Sequence, residues 1–214
     1  MNIEYACYDI AANETEITNT LTGAIKLKPS VVSVFPQYIK TAKSLCGDTK
    51  ISCPIDFPLG VLDTRTRLIG TETAIKQGAD IIELVCPAHY LCNRKYDKFR
   101  EDIKQILAVC IANKIELRYI LEYRQYSYEL LYKIAQILLG LGINAIYPST
   151  GYLLDDINDN ILASALINKK VPNINIICNG NLWNESQVKM VKNSQIYGFR
   201  VNSINGLNLF YNHN

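Results

Sequence analysis

Short runs of β-branched and aromatic residues alternate with longer helical patterns along the whole chain. Eight such units divide the 214 residues at a spacing of roughly 27. The predicted strands are Tyr5 to Asp9, Val31 to Phe35, Ile51 to Asp56, Asp80 to Val85, Ile115 to Leu121, Asn144 to Tyr147, Asn173 to Cys178 and Ile196 to Val201. Runs such as DIIELV and INIIC are apolar on both faces, as strands inside a parallel sheet must be. Between them, Lys95 to Asn113 places Phe99, Ile103, Ile106, Leu107 and Cys110 on one helical stripe. Ser127 to Leu141 does the same with Leu130, Leu131, Ile134, Ile137 and Leu138, and Gly140 and Gly142 end it. Eight strand–helix units without a long linker predict an α/β chain, a (β/α)8 TIM barrel forming a single domain over residues 1–214. Its last helix, Ile204 to Phe210, is rudimentary. An open doubly wound sheet is the alternative, though such sheets usually hold about five to seven strands.

Charge and cysteine usage narrow the function. A formal charge of +2 gives no electrostatic hold on nucleic acid or anionic lipid. No apolar run approaches the roughly 20 residues of a membrane span, and Met1 to Ala12 lacks the basic start of a signal peptide. Seven cysteines, an odd number set in apolar runs, fit reduced thiols of a cytoplasmic protein. The wealth of Ile, Asn, Lys and Tyr points to an AT-rich genome. Cys86, His89 and Cys92 have ligand-like spacing, but no fourth ligand is evident, so neither a metal nor a cofactor is expected. The segment Asp63 to Arg67 reads as a capped helix start with a solvated basic flank.

Taken in order, VVSVFPQYIKTAKSL, DFPLG, TETAIKQGADIIELVCP, LRYILEY, STG and YGFRVNS resemble successive landmarks of the deoxyribose-phosphate aldolase family. The resemblance runs from about Val31 to Ser203, with an N-terminal part shorter than is usual. It implies a (β/α)8 barrel and reversible cleavage of deoxyribose 5-phosphate through a Schiff-base lysine. It also implies a second lysine that lowers the pKa of the first. The first lysine's place, two residues before Ser-Thr-Gly, holds Tyr147, and the second's place, allowing for a one-residue deletion, falls on Cys178. None of the fifteen lysines lies in the C-terminal half of a predicted strand.

The family's phosphate site maps onto Ser149, Thr150, Gly151, Gly180, Asn181, Arg200, Asn202 and Ser203. Here Tyr152, Asn181 and Trp183 replace lysine, glycine and a basic residue, and Arg200 and Asn202 replace a small-residue turn. Glu83 stands for the proton-relaying aspartate, Arg118 for a strand-five lysine, Asp56 for an asparagine; Glu122 and Asp9 match family acids. Arg118 with Glu83 and Glu122 makes an interior charge network or an acid–base site. Cys178 as a nucleophile needs a base, and the histidines are His89 and His213.

Three functions follow. The first is a catalytically inactive pseudoenzyme with a binding, regulatory or structural role, taking a small molecule at the C-terminal face, a protein partner or a second copy. The second is a lyase or isomerase with altered chemistry on a small polyol or carbonyl compound, using Glu83, Arg118 and Tyr147. The third is a residual aldolase. A mouth filled by Tyr147, Tyr152, Trp183 and Arg200 disfavours the second, and an open cavity exposing Glu83 and Arg118 disfavours the first.

Overall fold

The computed structural model describes residues 1–153 and 156–212. Eight parallel strands close a barrel in sequence order: β1 (Asn2–Cys7), β2 (Val31–Val34), β3 (Lys50–Ile55), β4 (Ile81–Val85), β5 (Glu116–Ile120), β6 (Ala145–Tyr147), β7 (Asn175–Gly180) and β8 (Gly198–Val201). The predicted barrel is present, and seven of the eight strands lie within two residues or so of their expected bounds. The exception is β1, which begins three residues earlier than Tyr5.

The helices are α1 (Glu14–Ile25), α2 (Ile39–Leu45), α3 (Thr64–Gln77), α4 (Ala88–Cys92), α5 (Tyr96–Ala112), α6 (Tyr128–Gly140), α7 (Ile157–Lys170), α8 (Glu185–Asn193) and α9 (Ile204–Asn212). Their starts are written in short polar side chains. Asn13 and Glu16 form a capping box on α1, and Asp63, Ser127, Asp156 and Asn184 accept from backbone N–H groups at α3, α6, α7 and α8. α9 is longer than its predicted core and buries Leu207 and Phe210 where it packs on α1 and α8. No helix among the described residues is long and apolar enough to cross a membrane.

Outward-facing strand residues and inward helix stripes form the main core, while Val85, Ile120, Ala145, Tyr147 and Ile177 form a smaller cluster inside the barrel. The register sets what lies beside it. Glu83 pairs with Arg118 across β4–β5, and Glu4 pairs with Arg200 across β1–β8, so these four charges share the interior.

One expectation about α3 is corrected. Asp63 caps the helix as expected, but Arg67 is fully buried and not part of a solvated flank. Its Nη1 lies 3.0 Å from Asp102 Oδ2, its Nε 3.7 Å from Asp56 Oδ2, and Nη2 donates to the Val85 carbonyl at 3.0 Å. Asp56 therefore serves the outside of the barrel; its carboxylate also accepts from the N–H groups of Val61 and Leu62.

Candidate functional site

The interior at the C-terminal half of the strands is closed by two carboxylates, two guanidiniums and a phenol. Arg200 binds Glu83 with both terminal nitrogens, Nη1 to Oε2 at 2.7 Å and Nη2 to Oε1 at 2.5 Å. The same side chain reaches Glu4 Oε2 through Nη2 at 2.8 Å and donates to the Tyr147 hydroxyl. Arg118 donates to Glu4 Oε1 at 2.7 Å, to Glu116 Oε1 at 2.7 Å and to the Tyr147 hydroxyl at 2.8 Å. That hydroxyl stands 2.8 Å from Glu4 Oε2, and the Arg200 guanidinium lies 4.0 Å from the centre of its ring. Opposite charges are matched, which is the condition for keeping four ions out of water.

Burial pushes the Glu83 carboxyl up, but the Arg200 charge and hydrogen bonds, with Ser52 and Arg118, outweigh it and hold the pKa below its ordinary value. Burial raises the Tyr147 phenol well above its usual range, although Arg200 and Arg118 work against this. The Glu83 direction fixes a pH dependence. A carboxylate with a lowered folded pKa contributes stability that is complete above its unfolded value of about 4.5. That contribution is lost as pH falls through the lower folded value. Asp56, raised by burial, acts with the opposite sign. The urea midpoint should therefore fall as pH drops below roughly 4.5, and Glu83→Gln should flatten that fall. An unchanged slope in the variant would count against the network.

The remaining expected residues separate into three groups. Glu83, Arg118, Tyr147 and Arg200 come together as one network, with Glu83 wholly buried and Arg200 2 % exposed. Arg200 thus turns inward: its side chain borders a cleft of ≈ 250 Å³ with Gly151, Gly180 and Asn202, but its donors are engaged by Glu4, Glu83, Tyr8 and Tyr147. Glu122 does not take the expected place beside Arg118. It has a left-handed backbone (φ 58) and accepts from the Thr150 N–H at 3.0 Å and hydroxyl at 2.6 Å. Glu4, half a barrel away in register and missed in the sequence, takes that role. Asp9 also misses the interior: it is exposed and accepts from the Ala11 N–H at 2.9 Å.

Cys178 faces away from the mouth, towards α7, with Sγ 2.8 Å from Ser164 Oγ. Its neighbour Asn179 takes the inward position, because alternate strand residues face opposite sides. Ser149 donates to Asn179 Oδ1 at 2.7 Å, and Asn160 donates to the same oxygen at 3.1 Å. Ser203 caps α9 through a bond from the Gly206 N–H at 3.1 Å. Gly151 has φ +68, and a Cβ there would meet Asn179 Nδ2 at 3.2 Å. Gly180, Asn181 and Asn202 line a cleft beside it. Tyr152 and Trp183 stay on its rim, so the mouth is plugged from within by Tyr147 and Arg200. Tyr8, Phe35 and Phe57 stack over that plug, with centroids 5.1 Å and 5.0 Å from Tyr8. Their contribution was not legible in the sequence.

Cys86 is buried and His89 is exposed against Tyr90. Among the described residues no group of three His, Cys, Asp or Glu side chains is placed to hold a metal ion. His213 lies outside the described residues. All fifteen lysines lie within them. Fourteen are exposed, and Lys192 on α8 is half-buried with Nζ 4.7 Å from the Phe210 ring centre.

No family model matches the sequence. It is 32 % identical over 123 residues to a deoxyribose-phosphate aldolase of Bdellovibrio bacteriovorus, covering 56 % of this chain and 55 % of that one. It is 28 % identical over 152 residues to the enzyme of that name from Metamycoplasma hominis, covering 70 % of this chain and 69 % of the relative. In sequence, the chain is similar to deoxyribose-phosphate aldolases. The first match takes in little more than half of the Bdellovibrio protein. The fold agrees over a longer span: a solved aldolase, QR15, superposes with TM-score 0.86 at 20 % identity, covering 99 % of this chain and 94 % of that one. Tyr147, which the sequence resemblance leads one to expect at the imine position, has its hydroxyl engaged by two guanidiniums.

Proposed function

We propose that this chain is a catalytically silent member of the deoxyribose-phosphate aldolase family that acts by binding at the C-terminal face of its barrel. The observation carrying this reading is the closed network of Glu4, Glu83, Arg118, Tyr147 and Arg200 where an imine-forming amine is needed. A Schiff base requires a neutral amine within reach of a carbonyl. Every lysine here lies away from that interior, and an exposed ammonium is almost wholly charged at pH 7. Loss of a covalent nucleophile costs on the order of 10⁴- to 10⁶-fold in rate.

The altered-chemistry reading needs Glu83 to touch a substrate. Its carboxylate is wholly buried and bonded on both oxygens by Arg200, so a proton transfer from it would first have to break that pair. Chemical trapping tests the proposal. Incubation with deoxyribose 5-phosphate and borohydride should give no substrate-dependent adduct mapped to one lysine, and no aldehyde products should accumulate. A stoichiometric adduct at a single lysine, or turnover within about a hundredfold of an active aldolase, would overturn it.

A further inference from the structure

The cleft beside the plugged mouth has a volume of ≈ 510 Å³ and lies between the β6–α7 and β7–α8 loops. It occupies the region where the sequence resemblance places a phosphate, yet its chemistry is wrong for an anion. No lysine or arginine lines it, whereas the Asp156 carboxylate does. The nearest guanidinium, Arg200, has its donors directed at Glu4, Glu83, Tyr8 and Tyr147. At the floor, Asn179 is held by Ser149 through Nδ2 to O at 2.7 Å and cannot swing towards a ligand without breaking that bond.

What the cleft offers instead is amide and aromatic surface. Asn181 Oδ1 is buried without a hydrogen-bond partner, an acceptor that calls for a donor. A phosphate dianion brings acceptors and meets repulsion there, while a hydroxyl group can donate. Trp183 is 73 % exposed at the rim, and Tyr152 stands across from it, 47 % exposed. The loop that carries the indole is tied to α8, because the Trp183 backbone N–H donates to Gln187 Oε1 at 2.7 Å. An exposed aromatic face beside amide groups suits the apolar face and the hydroxyl edge of a sugar ring.

We infer that this cleft binds an uncharged sugar or polyol, with Trp183 as its stacking platform and Asn181 accepting from a ligand hydroxyl. The inference rests on the non-catalytic reading above and assigns a ligand class to that face. Trp183 is the one tryptophan in the chain, so its fluorescence reports the site directly. The probes are ribose, 2-deoxyribose and xylitol, compared with inorganic phosphate and deoxyribose 5-phosphate. A saturable emission change with at least one neutral probe is expected, no tighter with the phosphate ester and absent with inorganic phosphate. Asn181→Ala should weaken that binding about tenfold while leaving the melting temperature within a few degrees. No response to any neutral probe, tighter binding of the phosphorylated sugar, or an unchanged affinity in Asn181→Ala overturns the inference. Aldehyde products in the phosphate-ester mixture would instead sink the non-catalytic reading, so the two failures are separable.

Discussion

Arg200→Met is expected to lower the unfolding free energy by about 3–5 kcal/mol. Methionine fills much of the same space but leaves Glu83 and one oxygen of Glu4 buried without their cation. Arg118 still holds Glu4 at 2.7 Å, so the larger loss falls on Glu83. In a chain of this size each kcal/mol moves the melting temperature by roughly 2–4 °C, which puts the expected fall near 6–20 °C. The double variant Glu83→Gln with Arg200→Met leaves Glu4 and Arg118 as a neutral pair and should recover more than half of the loss. A single-variant loss under about 1 kcal/mol would mean that water, and not the guanidinium, screens these acids.

Arg67→Met should be as costly, about 3–5 kcal/mol, from a site that no ligand could touch. The Arg67 guanidinium joins α3 to Asp102 of α5, to Asp56 after β3 and to the carbonyl ending β4. Removing it leaves two buried carboxylates without their cation and takes a donor from one carbonyl. Arg67→Lys should rescue less than half, because a point ammonium cannot reach three acceptors set in different directions. Equilibrium urea unfolding of the two variants measures both quantities. Full rescue by lysine would show that charge alone, without the planar fork, holds these elements.

The barrel was readable because strands buried on both faces cannot hide their apolar runs, and helices must show a stripe. The start of β1 was not, since Glu4 and Asn2 break the apolar pattern, and an acid in a strand looks like a loop until its partners are known. Those partners, Arg118 and Arg200, lie 114 and 196 residues away. Cys178 shows a different limit. With a one-residue deletion to place, the assignment could shift by one position, and one position reverses the face of a strand. Asn179 consequently faces the mouth and Cys178 faces α7. For Arg67 a signal existed: it shares a helical face with Thr71 and Ala74, both buried, and a basic residue on such a stripe needs a buried acid. Tyr147 was legible as a substitution, though which cations hold its hydroxyl was not. Of the four side chains named as able to fill the mouth, Tyr147 and Arg200 are buried inside it, whereas Trp183 and Tyr152 lie on its rim.

The pairing of Glu4 on the first strand with Arg200 on the last also constrains how such a chain can mature. Until β8 has left the ribosome, seven strands carry Glu4 and Glu83 against Arg118 alone, an unbalanced negative charge in any closed interior. Cyclisation of the sheet therefore waits for β8, and a message truncated before residue 198 yields an open, acid-lined trough rather than a smaller barrel.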